Sequence, residues 1–178
     1  IEGEIGVISG VEEDIVASED EAVGANFGET MCFIKLSKID AIAPAIGTAH
    51  GVYKGVPKLN YDLVEQLGKE KTPIVIHGGT GLTAEQFGKL IALGGRKVNI
   101  STLVKNAYLG KIRELMESGD KLAPIGFDQI VRDHVKEEIK KHLLVFSGQS
   151  KDFGESEEAL ANYECDLHGH TNRSDGND

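Results

Sequence analysis

The sequence predicts an α/β fold built on parallel strands, and three observations predict it. Short apolar runs close on Gly-containing loops or on polar residues at positions 41–47, 74–76 and 97–100. That is the pattern of strands buried on both faces of a parallel sheet. Segments with helical spacing alternate with these runs, as successive β-α units require. Trp is absent and aromatic residues make up 6% of the chain, which fits an α/β enzyme better than a β-sandwich.

The elements follow in order. Residues 1–8 read as a strand with Glu2 and Glu4 on one face and Ile1 and Ile5 on the other. Residues 10–14, GVEED, read as a loop, and residues 17–28 as a further polar, Gly-containing loop. Residues 29–38 form a short helix carrying Met31, Phe33, Ile34 and Leu36. The strand at 41–47 has the small residues of a crowded interior, although Pro44 cannot donate to a ladder. Residues 61–69 have helical spacing at Leu63, Val64 and Leu67, and Pro73 opens the next strand. Thr83 is placed to cap a helix over 84–93, which Gly94 and Gly95 end. A strand at 97–100 leads into a helix over 103–118. Residues 127–146 form a final amphipathic helix with Ile130, Val131, Val135, Ile139, Leu143 and Leu144 at helical spacing. His134 and His142 on that helix lack ligand spacing and read as surface or interface residues.

The formal net charge of −10 argues against nucleic acid or an anionic membrane surface as partner. It does not bear on a small phosphorylated ligand, which responds to the local field. Two cysteines, Cys32 and Cys165, form no disulfide framework, so reduced thiols in the cytoplasm are the expectation. No apolar run approaches the roughly 18 residues of a membrane span.

The chemistry concentrates in two echoing stretches, AIGTAHGVYKG at 45–55 and IVIHGGTG at 74–81. Each is an apolar run, a single His and then glycine. A His at a strand end points out of the sheet, and the following Gly lets backbone N–H groups approach an anion. A lone His in this position is more often an ordinary hydrogen-bonded residue than a ligand. Repetition of the same local grammar at His50 and His77, one β-α unit apart, favours a metal beside a phosphate. A third unit ends in Asn99, Ile100, Ser101 and Thr102. Free N–H groups at a helix start there bind phosphate well, although plain capping by Ser101 and Thr102 explains the same residues.

AIGTAHGVYKG, IHGGTG and VNIST, preceded by IEGEIGVISGVEEDI, resemble class II, metal-dependent fructose-bisphosphate or tagatose-bisphosphate aldolases over about residues 1–150. The resemblance implies the C-terminal part of a (β/α)8 TIM barrel, incomplete in this chain, since a closed barrel takes roughly 250 residues and this chain has 178. The first residue is Ile1, not Met, and a piece of a longer protein is expected. The resemblance further implies aldol cleavage of a ketose bisphosphate to dihydroxyacetone phosphate and an aldehyde phosphate. His50 and His77 would bind the catalytic divalent metal, zinc in most members, and Glu4 a second metal site. Two His ligands by themselves suit zinc, cobalt or iron. Asn99 would hydrogen-bond the enediolate oxygen, and Glu12 would shuttle a proton from a mobile loop. A solvated acidic loop is the simpler account of Glu12. The phosphate would be held by Gly51, Gly78, Gly79, Thr80, Ile100, Ser101 and Thr102 with Lys54 assisting, and a monovalent cation is a further possible cofactor. Members more often carry Ser where this chain has Thr80, which keeps the hydroxyl. The third metal-binding His and the catalytic Asp of the family come from an Asp-His pair for which no match precedes His50. A homo-oligomer, dimer or tetramer, is expected of the complete protein.

Residues 151–162 are acidic and read as a linker. Beyond it, DLHGHTNRSDG at 166–176 places His168 and His170 on one side of a strand with Asp175 nearby. This stretch resembles the first motif of PHP-family metal-dependent phosphoesterases, so residues 163–178 would open a truncated PHP domain. The alternative function is then a phosphorylated-ligand-binding half-barrel serving a PHP phosphoesterase. With two of three expected metal ligands and half a barrel, the 178 residues alone are expected to show no aldolase activity. A coupled assay with fructose bisphosphate and added zinc tests this, and turnover above the metal-free blank would overturn it.

Overall fold

The structure is a computed structural model that describes residues 1–7, 9–12, 15–17, 24–50, 57–119 and 123–154, with backbone only at 9–12, 15–17 and 49–50. The strands are β1 (Glu2–Ile5), β2 (Ser9–Glu12), β3 (Ile15–Ala17), β4 (Ala41–Pro44), β5 (Ala49–His50), β6 (Ile74–Ile76) and β7 (Gly95–Val98). The helices are α1 (Phe27–Ser37), α2 (Tyr61–Leu67), α3 (Ala84–Ala92), α4 (Thr102–Ser118) and α5 (Pro124–Phe146).

The main sheet has the order β1-β4-β6-β7, and all of its pairings are parallel. Strands are therefore added in sequence order and always to the same edge. Since β-α-β crossovers are right-handed, this order puts successive helices on one face of the sheet. A sheet wound in one direction in this way is an arc of a β/α barrel, whereas a doubly wound sheet reverses its order at the centre. Among the described residues, β1 and β7 each pair on one side only within this sheet, as expected of an incomplete barrel. Beyond the arc, β2 and β5 continue the β1–β4 pairing in parallel, with Ser9 opposite Ala49 and Gly10 opposite His50.

Local chemistry explains the element ends. The Asn26 side chain accepts from Glu29 N at 3.0 Å to start α1, and Lys38 in left-handed conformation ends it. Asn60 does the same for α2 through Leu63 N at 3.1 Å. Thr83 and Gln86 form a reciprocal capping box on α3. Pro44 is the last residue of β4, and the next available donor, Ala45 N, resumes pairing with Ile5 O at 2.8 Å. The strand is thus shorter than the run 41–47 implied. Gly95 opens β7 rather than ending α3, and Pro124 opens α5 three residues earlier than the apolar spacing implied, in the first-turn position that proline suits. Residues 10–14 are not all loop: Ser9–Glu12 and Ile15–Ala17 pair antiparallel with Glu12 opposite Ile15. The β-branched Val11, Ile15 and Val16 favour the extended pairing over the loop that the acidic run suggested.

The core lies between the sheet and its helices. Ile42, Ile74, Val75 and Ile76 are wholly buried, with Leu63, Val64 and Leu67 of α2 and Phe87 and Leu90 of α3. Phe87 anchors the C-terminal side. Its ring meets Phe146 edge-on at 4.8 Å and Phe153 at 6.2 Å. Phe153 also stacks on His142 at 4.4 Å, so the packed body extends through residue 153. A cleft of about 580 Å³ runs beside the open edge of β7, lined by Val98, Ile100, Leu103, Ile139, Leu143 and Phe146 among others. No helix among the described residues is long and apolar enough to cross a membrane.

Replacing Phe87 with Ala should cost about 3–5 kcal/mol, the usual range for deleting a buried aromatic side chain. Urea unfolding followed by far-ultraviolet circular dichroism measures it; a loss below about 1 kcal/mol would mean Phe87 is not the anchor.

Candidate active site

β1 aims two carboxylates at the face of the sheet opposite α1, and the residue between them shows why. A Cβ on Gly3 would lie 2.9 Å from both Phe33 Cε1 and Ile39 Cδ1. Gly3 therefore lets α1 and the chain following it press directly against the back of β1. Alternation then sends Glu2 and Glu4 to the other face. There they meet residues delivered by β6 and β7.

His77 follows the last residue of β6, and Asn99 the last residue of β7; Asn99 N donates to Ile76 O at 2.9 Å, which holds the two side by side. One Glu2 oxygen lies 2.9 Å from His77 Nε2 and 3.1 Å from Asn99 Nδ2, and the other lies 2.6 Å from Lys97 Nζ. Asn99 Nδ2 is also 2.9 Å from His77 Nε2. A ring nitrogen that donates to Glu2 cannot also accept from Asn99, so these two contacts of Nε2 exclude each other as hydrogen bonds. On the other side of the ring, His77 Nδ1 lies 3.6 Å from Glu4 Oε2. His77 is 13% exposed at its side chain, so the ring is sheltered, and Glu4 beside its Nδ1 is 40% exposed. Burial by itself would raise the Glu2 carboxyl, but hydrogen bonds and charge from Lys97 and His77 outweigh it and hold Glu2 below the usual carboxylate range.

The glycine loop and the third motif also meet. Thr80 Oγ1 accepts from Leu103 N at 3.3 Å, which ties the loop after β6 to the first turn of α4. Ser101, the residue before that helix, makes no side-chain cap, so the capping expected of it falls to Thr80 instead. Gly78 has φ +66°, in the left-handed region. Gly79 is constrained from behind, since a Cβ there would stand 2.9 Å from the Phe87 ring. Ile100 turns its side chain into packing against the core beside Gly79. Ser101 is exposed and Thr102 half-buried.

His77, Glu4, Asn99, Gly78, Gly79, Thr80, Ile100, Ser101 and Thr102 are therefore brought to neighbouring strand ends and loops. Register places the backbone of His50 opposite Gly10, two residues before Glu12. The side chains of His50 and Glu12, and Gly51, Lys54, His168, His170 and Asp175 entirely, lie outside the described residues. Among the described residues, no three His, Cys, Asp or Glu side chains form a metal cluster. Sequence reasoning missed Glu2 and Lys97 as members of the site. The signal was present as alternation: Glu2 shares a face with Glu4, and Lys97 shares one with Asn99.

Residues 1–151 match the family described as fructose-bisphosphate aldolase class-II. The chain belongs to that family, and its fold is a segment of an α/β barrel. A fructose-bisphosphate aldolase of Staphylococcus aureus is 34% identical over 161 residues, covering 89% of this chain and 53% of that protein. One from Staphylococcus epidermidis matches with the same identity and coverage. Among solved structures, the YdjI aldolase of Escherichia coli K12 superposes with a TM-score of 0.67 at 25% identity, covering 85% of this chain and 50% of that one. A Coccidioides immitis protein provisionally named fructose-1,6-biphosphate aldolase superposes with a TM-score of 0.73 at 28% identity, covering 84% and 53%. The chain spans about half the length of the curated relatives it matches.

Thr80→Val should destabilise the protein by about 1 kcal/mol, as loss of a helix cap does, while Thr80→Ser should stay near wild type. Thermal melting compares them; loss in Thr80→Ser with Thr80→Val near wild type would show that packing of the Thr80 methyl, not the bond to Leu103, holds the loop.

Proposed function

We propose that the native-length protein carries out metal-dependent aldol cleavage and condensation of a ketose bisphosphate, yielding dihydroxyacetone phosphate and an aldehyde phosphate. The observation that carries this reading is the meeting of His77, Glu4 and Asn99 beside a glycine loop tied to a helix N-terminus, in a chain of the class II family. The family is in general dependent on a divalent metal. The donor chemistry fits one: His77 Nδ1 and Glu4 Oε2 are 3.6 Å apart, and two ligands of one zinc ion at normal bond lengths stand about 3.3–3.5 Å apart.

His77 would hold the metal with His50, and Glu4 would serve it or a second site. When bound, the metal supplies Lewis-acid polarisation of the substrate carbonyl. Asn99 presents an amide donor where charge develops on the substrate oxygen, fixed by its backbone bond to Ile76. Glu12 is assigned the proton transfer at the substrate carbon. Gly51, Gly78, Gly79, Thr80, Ser101, Thr102 and the backbone of Ile100 are assigned the phosphate, with Lys54 as counter-charge. The start of α4 suits that role, because it lacks acidic residues in its first turn and its N–H groups favour an anion. Zinc is the preferred metal, a monovalent cation a further cofactor, the cytoplasm the expected compartment and a homo-oligomer the expected assembly. The domain reading is a barrel portion over 1–150, a linker over 151–162 and the start of a PHP-type domain over 163–178, supported by the HGH and SDG spacing there.

In the native-length protein, His50→Ala and His77→Ala should each abolish stoichiometric metal and cleavage together, read by elemental analysis and a coupled assay. Cleavage retained by either variant would sink that ligand assignment. Chelation should remove activity and added zinc restore it; a rate indifferent to chelator would exclude the metal-dependent reading.

A further inference from the structure

We infer that Glu2 is a positioning residue that selects which nitrogen His77 offers to the metal, turning Nδ1 outward by holding Nε2. The inference deepens the assignment above and rests on His77 being a metal ligand. Three donors converge on one carboxylate: Lys97 Nζ at 2.6 Å, His77 Nε2 at 2.9 Å and Asn99 Nδ2 at 3.1 Å. They arrive from β6 and β7, two and three strands away from β1 in the sheet. Glu2 thus ties the first strand of the arc to the last two at the point where the site forms.

The chemistry of the contact is directional. An ionised carboxylate only accepts hydrogen bonds. Held 2.9 Å from Glu2, Nε2 is stabilised as the protonated nitrogen. The neutral ring then carries its lone pair on Nδ1, the nitrogen that faces Glu4 Oε2 at 3.6 Å. This also settles the competing contact: with Nε2–H given to Glu2, Asn99 Nδ2 becomes a second donor to the same Glu2 oxygen instead of a donor to the ring. Lys97 has a separate role. Its ammonium takes the other carboxylate oxygen, which fixes the plane of the carboxylate and offsets its charge beside the site. Gly3 completes the device, since its missing side chain lets α1 and Ile39 back the strand that carries Glu2. Carboxylates behind metal-binding histidines act in this way in general, and their removal weakens metal affinity by roughly 10–100-fold.

The test compares zinc affinity in the native-length protein, by competition with a chromophoric chelator, at a temperature where every variant is folded. Glu2→Met keeps the length of the side chain and removes the acceptor; Glu2→Gln restores an acceptor. We expect zinc binding roughly 10–100-fold weaker in Glu2→Met, largely recovered in Glu2→Gln, and lost in His77→Ala. A purely structural role would lower the melting temperature without this order of affinities. Wild-type affinity in Glu2→Met, alongside loss in His77→Ala, overturns the role of Glu2 and leaves the metal site standing. Wild-type affinity in His77→Ala overturns the site itself. Nitrogen-15 spectra of the zinc-loaded wild type decide independently of any variant's folding: metal on Nδ1 with a proton on Nε2 is expected, and metal on Nε2 overturns the inference.

Discussion

Parallel pairing in strict sequence order is the constraint on which the rest of the structure depends. β4 and β6 pair on both sides within the main sheet, and Ile42, Ile74, Val75 and Ile76 are fully buried. Their backbone groups have nowhere to find partners except the neighbouring strands, and an unpaired buried amide is costly. Once β4 and β6 are locked side by side, right-handed crossovers leave one place for each helix. The segment after every strand then emerges on the same rim. His77 and Asn99 become neighbours for that reason, although 22 positions separate them. The pairing also explains why β2 and β5 come together again beyond the arc, bringing the His50 backbone beside the strand that ends at Glu12.

The site built on that rim is an exercise in balanced charge. Glu2 lies among three donors, and the hydrogen bonds and charge of two of them, Lys97 and His77, outweigh the cost of its partial burial. A carboxylate placed there without Lys97 and His77 would be pushed toward its neutral form. Glu4, two residues along and on the same face, is more exposed and faces the other nitrogen of the same ring. One strand therefore supplies two acids with different work. One is more enclosed and tied to neighbouring side chains; the other is more exposed. The loop after β6 shows the same division. Gly79 is shaped by Phe87 behind it, whereas Thr80 reaches forward to the start of α4.

The helices were legible because their signals are local. Leu63, Val64 and Leu67 recur at helical spacing, and Thr83 with Gln86 makes a capping box from residues three apart. Boundaries slipped where a residue has two meanings. Gly95 closes a helix in most sequences but opens β7 here, and the acidic run around Glu12 looked like a loop while its β-branched neighbours paired. The family was legible because His50-Gly51, His77-Gly78-Gly79 and Asn99 to Thr102 are strings of neighbouring residues. Glu2 and Lys97 were not, because nothing in their immediate neighbours distinguishes them from solvated charges.

The sequence by itself determined the class of fold, the order of its β-α units and the residues that carry the family's motifs. These depend on periodicity, capping and short-range spacing, which a chain displays without being folded. Only the tertiary structure decided which nitrogen of His77 meets Glu2 and which faces Glu4, and that Thr80 rather than Ser101 caps α4. Those choices are made by side chains 23 to 97 positions apart. Their meeting depends on sheet register and on the close approach that Gly3 permits, and neither is written in any local stretch of the chain.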